Sequence, residues 1–220
     1  MQGGGGPFSV LDINKPGRQE DIPTVNGHSG SCLNFDWNPF DEDMLASCSD
    51  DTTLKLWKFP SEGLSGDCLH MPPAMELEGH GRKVTHCKFH PTASGIIASV
   101  GGEHNVKLWD VESGACINEN SDDHPDLIQD LVWDYLGNTY ATTCKDKNIR
   151  MIDGRSGAVA DMITGAHEGS KSAKLTYCGQ LDKLLSVGFT RQSDRQVKIW
   201  DPRNTSKALK VRAYIELIVD

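Results

Sequence analysis

The sequence predicts an all-β chain of repeated antiparallel sheets, on three observations. Short apolar runs with period-two alternation, such as Thr53–Lys58 and Asn105–Asp110, are too brief for helices, and no stretch carries a convincing helical period. A histidine, usually after a small residue, returns at His28, His80, His124 and His167, at intervals of 52, 44 and 43 residues. A strand closing on a large apolar residue returns in the same frame, at Trp57, Trp109, Ile152 and Trp200.

The stretch Gly79–Asp110, GHGRKVTHCKFHPTASGIIASVGGEHNVKLWD, shows one whole unit: Gly-His, three short apolar runs separated by turns, and Trp-Asp. With a repeat of about 40–45 residues, this is the pattern of one four-stranded blade in a WD-repeat β-propeller. The long first interval is absorbed by the Pro60–Pro73 loop, rich in Gly, Ser and Pro. Large apolar residues follow the histidine at fixed offsets in three units (Cys32/Phe35/Trp37, Val84/Cys87/Phe89, Ile128/Leu131/Trp133), and Leu175 and Tyr177 of the fourth slip by one. A hydroxyl residue follows each histidine at Ser47, Ser99, Thr142 and Ser186, and an acid precedes each closing position at Asp51, Glu103, Asp146 and Asp194. Residues 7–13 and 22–25 read as two strands flanking a polar turn at Lys15-Pro16-Gly17. The expected organisation is outer strands of an incomplete first blade over 1–26, four blades over 27–210, and a divergent tail over 211–220.

Composition narrows the function classes. Net charge is −9 with a pI near 5.3, which disfavours nucleic-acid binding, since that needs a basic excess. No apolar run reaches the length of a membrane span, and the Gly-rich opening lacks the basic and apolar regions of a signal peptide. The seven cysteines are scattered singly, and Cys32, Cys48, Cys87, Cys144 and Cys178 fall in expected strands, where a reduced thiol acts as a small apolar group. A reducing, cytoplasmic setting is the expectation.

Each unit offers a histidine, a hydroxyl and a carboxylate, the ingredients of a nucleophilic triad. A catalytic site occurs once, whereas this set recurs four times, so the better reading is structural: a hydrogen-bonded chain from Trp to Ser/Thr to His to acid. Its expected members are His28, Ser47, Asp51 and Trp57; His80, Ser99, Glu103 and Trp109; His124, Thr142 and Asp146; and His167, Ser186, Asp194 and Trp200. Glu103 for Asp and Ile152 for Trp are expected to loosen the second and third blades. Cys87, His86 and His90 lie close in sequence, but strand alternation separates them and no second ligand pair has zinc spacing. Neither metal nor cofactor is expected. Gly3–Gly6 and Gly101-Gly102 lack the strand–loop–helix context of a phosphate loop and read as turns. The cations two residues before each closing position (Lys55, Lys107, Arg150, Lys198) read as architectural, with stems between blades and heads reaching water. One feature breaks the period: eight residues separate Ser186 from Asp194, against four in the other units. The extended polar turn carries Arg191 and Arg195, and Lys145 and Lys147 sit on the matching turn of the preceding blade, so these four form a candidate basic protein-binding edge.

Several stretches resemble the coronins, actin-associated WD-repeat proteins: GGGGPFSVLDINKPGR, FDWNPFDEDMLASCSDD with LWKFPSEGL, HPDLIQDLVWDYLGNTYATTCKDKNIRMIDGRSG, AHEGSKSAKL and SVGFTRQSDRQVKIWDPRN. The resemblance spans roughly residues 3–204, and the long-turn GFTRQSDRQVKIWD and the Trp-less IRMIDGRSG are features generic WD repeats lack. It implies a partial propeller, about four complete blades of a seven-bladed ring, acting without catalysis on actin filaments and with the actin-related-protein nucleation complex, at the cytoplasmic cytoskeleton. The family's opening segment, with its filament-binding basic residues, is not represented, and SKALKVRAYIELIVD after Asn204 looks unlike the family. A general WD-repeat adaptor for other protein complexes is the alternative, and a propeller hydrolase is disfavoured for want of a unique nucleophile or metal set.

Overall fold

A computed structural model describes residues 6–11, 17, 24–60 and 71–213. Eighteen strands build one two-stranded and four four-stranded antiparallel sheets among these residues. In the small sheet β1 (Phe8–Ser9) pairs with β2 (Thr24–Val25). Of the expected opening strands, Pro7, Val10 and Leu11 are not in strand, and residues 12, 13, 22 and 23, with the turn at Lys15-Pro16, lie outside the described residues.

The first full sheet runs β3 (Cys32–Trp37), β4 (Met44–Ser49), β5 (Leu54–Lys58) and β6 (Met75–Leu77). The second runs β7 (Val84–Phe89), β8 (Ile96–Gly101), β9 (Val106–Asp110) and β10 (Cys116–Asn120). The third holds β11 (Ile128–Trp133), β12 (Thr139–Cys144), β13 (Ile149–Asp153) and β14 (Val159–Ile163). The fourth holds β15 (Lys174–Tyr177), β16 (Leu184–Phe189), β17 (Arg195–Trp200) and β18 (Lys210–Ala213), so its outer strand extends past residue 210. Each sheet is a meander in sequence order, the least demanding way to join antiparallel strands. Among the described residues a 3-10 turn, Gly179–Leu181, departs from the all-strand expectation, and Cys178 lies just beyond β15.

The core lies between sheets. Ala46, Cys48, Leu54, Leu56 and Leu77 of the first blade meet Val84, Cys87, Phe89, Ile97 and Trp109 of the second. Ala98, Val100, Val106 and Leu108 of the second meet Ile128, Leu131, Trp133, Tyr140 and Ile152 of the third. Ala141, Ile149, Met151 and Ile163 of the third meet Leu175, Leu184 and Trp200 of the fourth. Phe8 and Val25 cover Leu45, Trp57 and Phe59 on the first blade's other side. Sheets buried on both faces explain why β4, β8 and β12 read as near-continuous buried runs. At about 1.5–3 kcal/mol for each large aliphatic or aromatic side chain taken from water, these layers hold the blades side by side. Trp37 occupies the offset at which Phe89 and Trp133 are buried in the next two blades, but it is itself 49% exposed, beside Phe59.

The inner strands are joined by side chains as well as by packing. Lys88 Nζ donates to Asp36 Oδ1 at 2.7 Å and the Phe89 amide to Asp36 Oδ2 at 2.8 Å. The Leu175 amide donates to Asp130 Oδ2 at 2.8 Å in the same way between the last two blades. Turns alternate between two faces. The β4–β5, β8–β9, β12–β13 and β16–β17 turns lie on one, and the turns entering β4, β8, β12 and β16 and leaving β5, β9, β13 and β17 lie on the other. On the first face Thr52, His104, Lys147 and Ser193 all adopt positive φ, between 69° and 76°, a shared left-handed turn residue.

Candidate functional site

The recurring polar sets lie where each Gly-His segment meets its blade. In the first, Trp57 Nε1 donates to Ser47 Oγ at 2.8 Å, Ser47 Oγ lies 2.7 Å from His28 Nε2, and His28 Nδ1 lies 2.9 Å from Asp51 Oδ2. One proton arrangement satisfies all of these contacts: Ser47 donates to a neutral imidazole, which donates through Nδ1 to the carboxylate. Burial lowers the His28 pKa despite Asp51, which keeps the ring neutral. Burial also opposes ionisation of Asp51, but bonds from Thr53 and the proximity of His28 outweigh it and hold that carboxyl at about 2. Ser47 has the neighbours of a nucleophile but is 0% exposed and already accepts the indole proton, so no substrate reaches its Oγ.

The second set is equally complete. Trp109 donates to Ser99 at 2.8 Å, Ser99 meets His80 at 2.6 Å, and His80 meets Glu103 Oε1 at 2.7 Å. Glu103 also accepts the Gly81 and Arg82 amides at 3.1 and 3.2 Å. The loosening expected from Glu103 therefore finds no counterpart in the hydrogen bonds, because its longer arm reaches the ring and two further donors.

The last two sets differ from the sequence expectation. His124 Nε2 meets Thr142 Oγ1 at 2.8 Å, but Asp146 turns to Arg150 Nη2 at 2.5 Å and to Asn148, and His124 Nδ1 is buried with no partner among the described residues. Burial first and Arg150 second push His124 down to about 4. Ile152 packs apolar in the vacated indole position beside Trp133 and Tyr140. In the fourth blade Trp200 and His167 both meet Ser186 at 2.8 Å, but His167 Nδ1 reaches Gln196 Oε1 at 3.2 Å rather than Asp194. Asp194 is exposed and closes the long turn with Thr190: the Thr190 amide donates to its carbonyl at 2.9 Å, and the Asp194 amide donates to Thr190 Oγ1 at 3.2 Å. The four inserted residues displace Asp194 from the histidine, and Gln196 faces it instead.

The architectural cations end on partners rather than reaching water. Lys55 Nζ donates to the Gly27 carbonyl at 2.8 Å, Lys107 to Glu119 at 2.6 Å and Lys198 to the Ala166 carbonyl at 2.7 Å. They tie the approach to the histidine, or the outer strand, back to the blade. The Asp after each of the last three closing positions caps the following turn. Asp110 accepts the Glu112 amide at 3.0 Å, Asp153 the Arg155 amide at 3.0 Å and Asp201 the Arg203 amide at 3.1 Å. Cys87, His86 and His90 are apart as expected: Cys87 is buried, His86 Nε2 lies 3.0 Å from Lys174 Nζ, and His90 Nε2 bonds the Gly137 carbonyl at 2.8 Å.

Lys145, Lys147 and Arg191 lie on exposed turns of one propeller face and Arg195 is exposed at the start of β17 beside them, astride the boundary of the third and fourth blades. Glu168, unremarked in the sequence reading, is the acid between the two turns. Lys147 Nζ donates to its carbonyl at 2.7 Å, and Arg191 Nε lies 2.9 Å from its carboxylate. Lys145 sits 3.8 Å from Asp126. A further cation, Lys171, lies over the Phe189 ring at 5.0 Å, where the turn passes so close to Gly169 that a Cβ there would stand 2.7 Å from Phe189 Cβ. Arg191 is 76% exposed at its side chain, so its pairing with Glu168 leaves the guanidinium open to solvent.

Comparison with known proteins follows this geometry. The family model for the WD domain, G-beta repeat, matches residues 19–58 and 71–110. Human Coronin-2A is 36% identical over 211 residues, 94% of this chain and 39% of that protein. The coronin-like protein of Saccharomyces cerevisiae is 35% identical over 93% of this chain and 32% of its own length. Coronin-7 of Rattus norvegicus is 39% identical over 90% of this chain and 21% of its own. The crystal structure of the WD40 domain from Toxoplasma gondii coronin superposes with a TM-score of 0.89 at 28% identity, over 96% of this chain and 54% of that one. The chain thus spans well under half the length of these curated relatives, and across nearly all of its own length it belongs to the coronin family of WD-repeat proteins.

Proposed function

We propose that the chain is a non-enzymatic actin-filament-binding propeller segment that contributes to actin cytoskeleton organisation. The observation that supports this reading is the basic edge. Lys145, Lys147 and Lys171 and the long turn bearing Arg191 and Arg195 bring five cations to one blade boundary of a chain whose net charge is −9. The Thr190–Asp194 bonds and the Arg191–Glu168 pair brace that turn, so its cations are presented on a fixed scaffold. Filaments are acidic, and a local basic edge steers such a partner even on an acidic protein, with an attraction that falls as salt rises. Kinship with the coronins supports the same choice of partner, with the actin-related-protein nucleation complex as a second one. Co-sedimentation with filaments at low and moderate salt tests the proposal. The wild-type chain pellets, less at moderate salt, and a Lys145/Lys147/Arg191/Arg195→Glu variant stays in the supernatant. Equal pelleting of the two overturns the role of this edge.

A further inference from the structure

On the opposite face, between the second and third blades, lies a cleft of about 540 Å³. Ile96, Leu108, Ile117, Trp133 and Leu136 contribute its apolar walls, and Arg155 stands at its mouth. That volume falls within the range of ligand sites, about 300–1,000 Å³.

Both ends of the cleft are fixed by bonds between the blades. At the inner end His90 Nε2 bonds the Gly137 carbonyl at 2.8 Å and Thr92 Oγ1 donates to the Leu136 carbonyl at 2.5 Å. At the outer end Asn118 Nδ2 donates to the Arg155 carbonyl at 3.1 Å and Asn120 Nδ2 to the Gly157 carbonyl at 2.6 Å. The space is therefore preformed, and an occupant does not have to open it. Two large apolar side chains rise from facing rims, Ile117 at 54% and Leu136 at 61% exposure. The Arg155 guanidinium makes no hydrogen bond or ion pair among the described residues and has only the through-space attraction of Asp153, unlike Arg150, Arg191 and Arg203, each of which has a carboxylate in contact.

We propose that this cleft is a docking site for a short extended peptide segment of a partner protein, apolar along its length and bearing one carboxylate opposite Arg155. Charge complementarity selects the acid, because a guanidinium that no carboxylate touches keeps both donor edges for bidentate bonds with one. The two rims select an extended segment: Ile117 and Leu136 are both covered only by a ligand that crosses the mouth and continues on either side.

The test uses the full chain and a fluorescein-labelled pentapeptide of leucines around a central aspartate, read by fluorescence anisotropy. Saturable binding is expected, weakened at least tenfold by Arg155→Glu and by Ile117→Lys, and likewise when the peptide's aspartate becomes lysine. Arg155 is exposed and its side chain holds no element in place, so its replacement leaves the fold intact. Arg191→Glu, on the other face, is expected to bind as wild type. No saturable binding, or equal binding by Arg155→Glu, overturns the proposal. Octanoate competing as tightly as the peptide also overturns it, and reassigns the cleft to small apolar acids.

Discussion

Arg150 takes Asp146 away from His124. Its Nη2 lies 2.5 Å from the Asp146 carboxylate, and the imidazole that holds a carboxylate in the first two blades keeps a buried Nδ1 without a partner. Register explains the competition. Arg150 is the cross-strand partner of Thr142, which bonds the same histidine, so guanidinium and ring sit on one face within reach of one acid. A lysine at this position in the first two blades reaches instead to the Gly27 carbonyl or to Glu119, leaving the acid to the ring.

Arg150→Lys is therefore expected to return Asp146 to His124 and stabilise the chain by about 1 kcal/mol, the worth of satisfying one buried polar atom. Chemical denaturation reads the change. Destabilisation by more than about 1 kcal/mol would mean that the arginine–aspartate pair outweighs the orphaned ring nitrogen.

Asp51→Ala tests the structural reading of the complete set. Removing the carboxylate strands the His28 Nδ1–H, Thr53 and the Ser29 amide, at a cost of about 1–3 kcal/mol. The melting transition should fall. An unchanged melt would remove the case for a stabilising network.

Acid should loosen the blades in two stages. His124 and His167 are both held down to about 4 by burial, against 6.5 in the unfolded chain. The unfolded state takes up those protons first, so stability present above pH 6.5 is lost as pH falls toward 4. Asp51, depressed from 3.8 to about 2, adds a second loss as pH falls through that lower window. Equilibrium unfolding across pH 7 to 4 checks the first stage, and His124→Asn should flatten it.

How much of this was legible in the sequence depended on whether a feature obeyed the repeat. Spacing located His28, Ser47, Asp51 and Trp57, and their bonds follow from that spacing. It located Asp146 and Asp194 equally well in number, but both side chains turn elsewhere. One is captured by a guanidinium across the strand, and the other is carried off by a four-residue insertion. Arg150 for Lys was visible as a departure, yet a cation two residues before the closing position reads the same either way until the register is known. Gln196 and Glu168 carried no signal, because a neutral amide and an exposed acid acquire meaning only from the ring or cations that face them. The cleft at Arg155 was invisible because its walls come from two different blades, with lining residues drawn from His90 to Arg155 along the chain.

Among the described residues, the fourth blade carries an apolar row on the sheet face turned away from the third. In the third blade Ala141, Thr143, Ile149 and Met151 point toward the next sheet, and all four are buried. By register about Thr142/Arg150 and Ser186/Lys198, their counterparts are Leu185, Val187, Val197 and Ile199. None of these is buried, and Val187 is 38% exposed. Four neighbouring β-branched or aliphatic side chains on one sheet face form an apolar surface of the kind proteins cover by association. The 220-residue polypeptide on its own is therefore expected to self-associate through this face at micromolar concentration. A Val187→Lys/Val197→Lys variant should shift it toward monomer without lowering its melting temperature, because neither side chain contributes to the layer shared with the third blade. Multi-angle light scattering over a dilution series reads the outcome. A wild-type chain that is monomeric throughout would show that these four residues tolerate water as they stand, and an unchanged oligomer in the double-lysine variant would place the contact elsewhere.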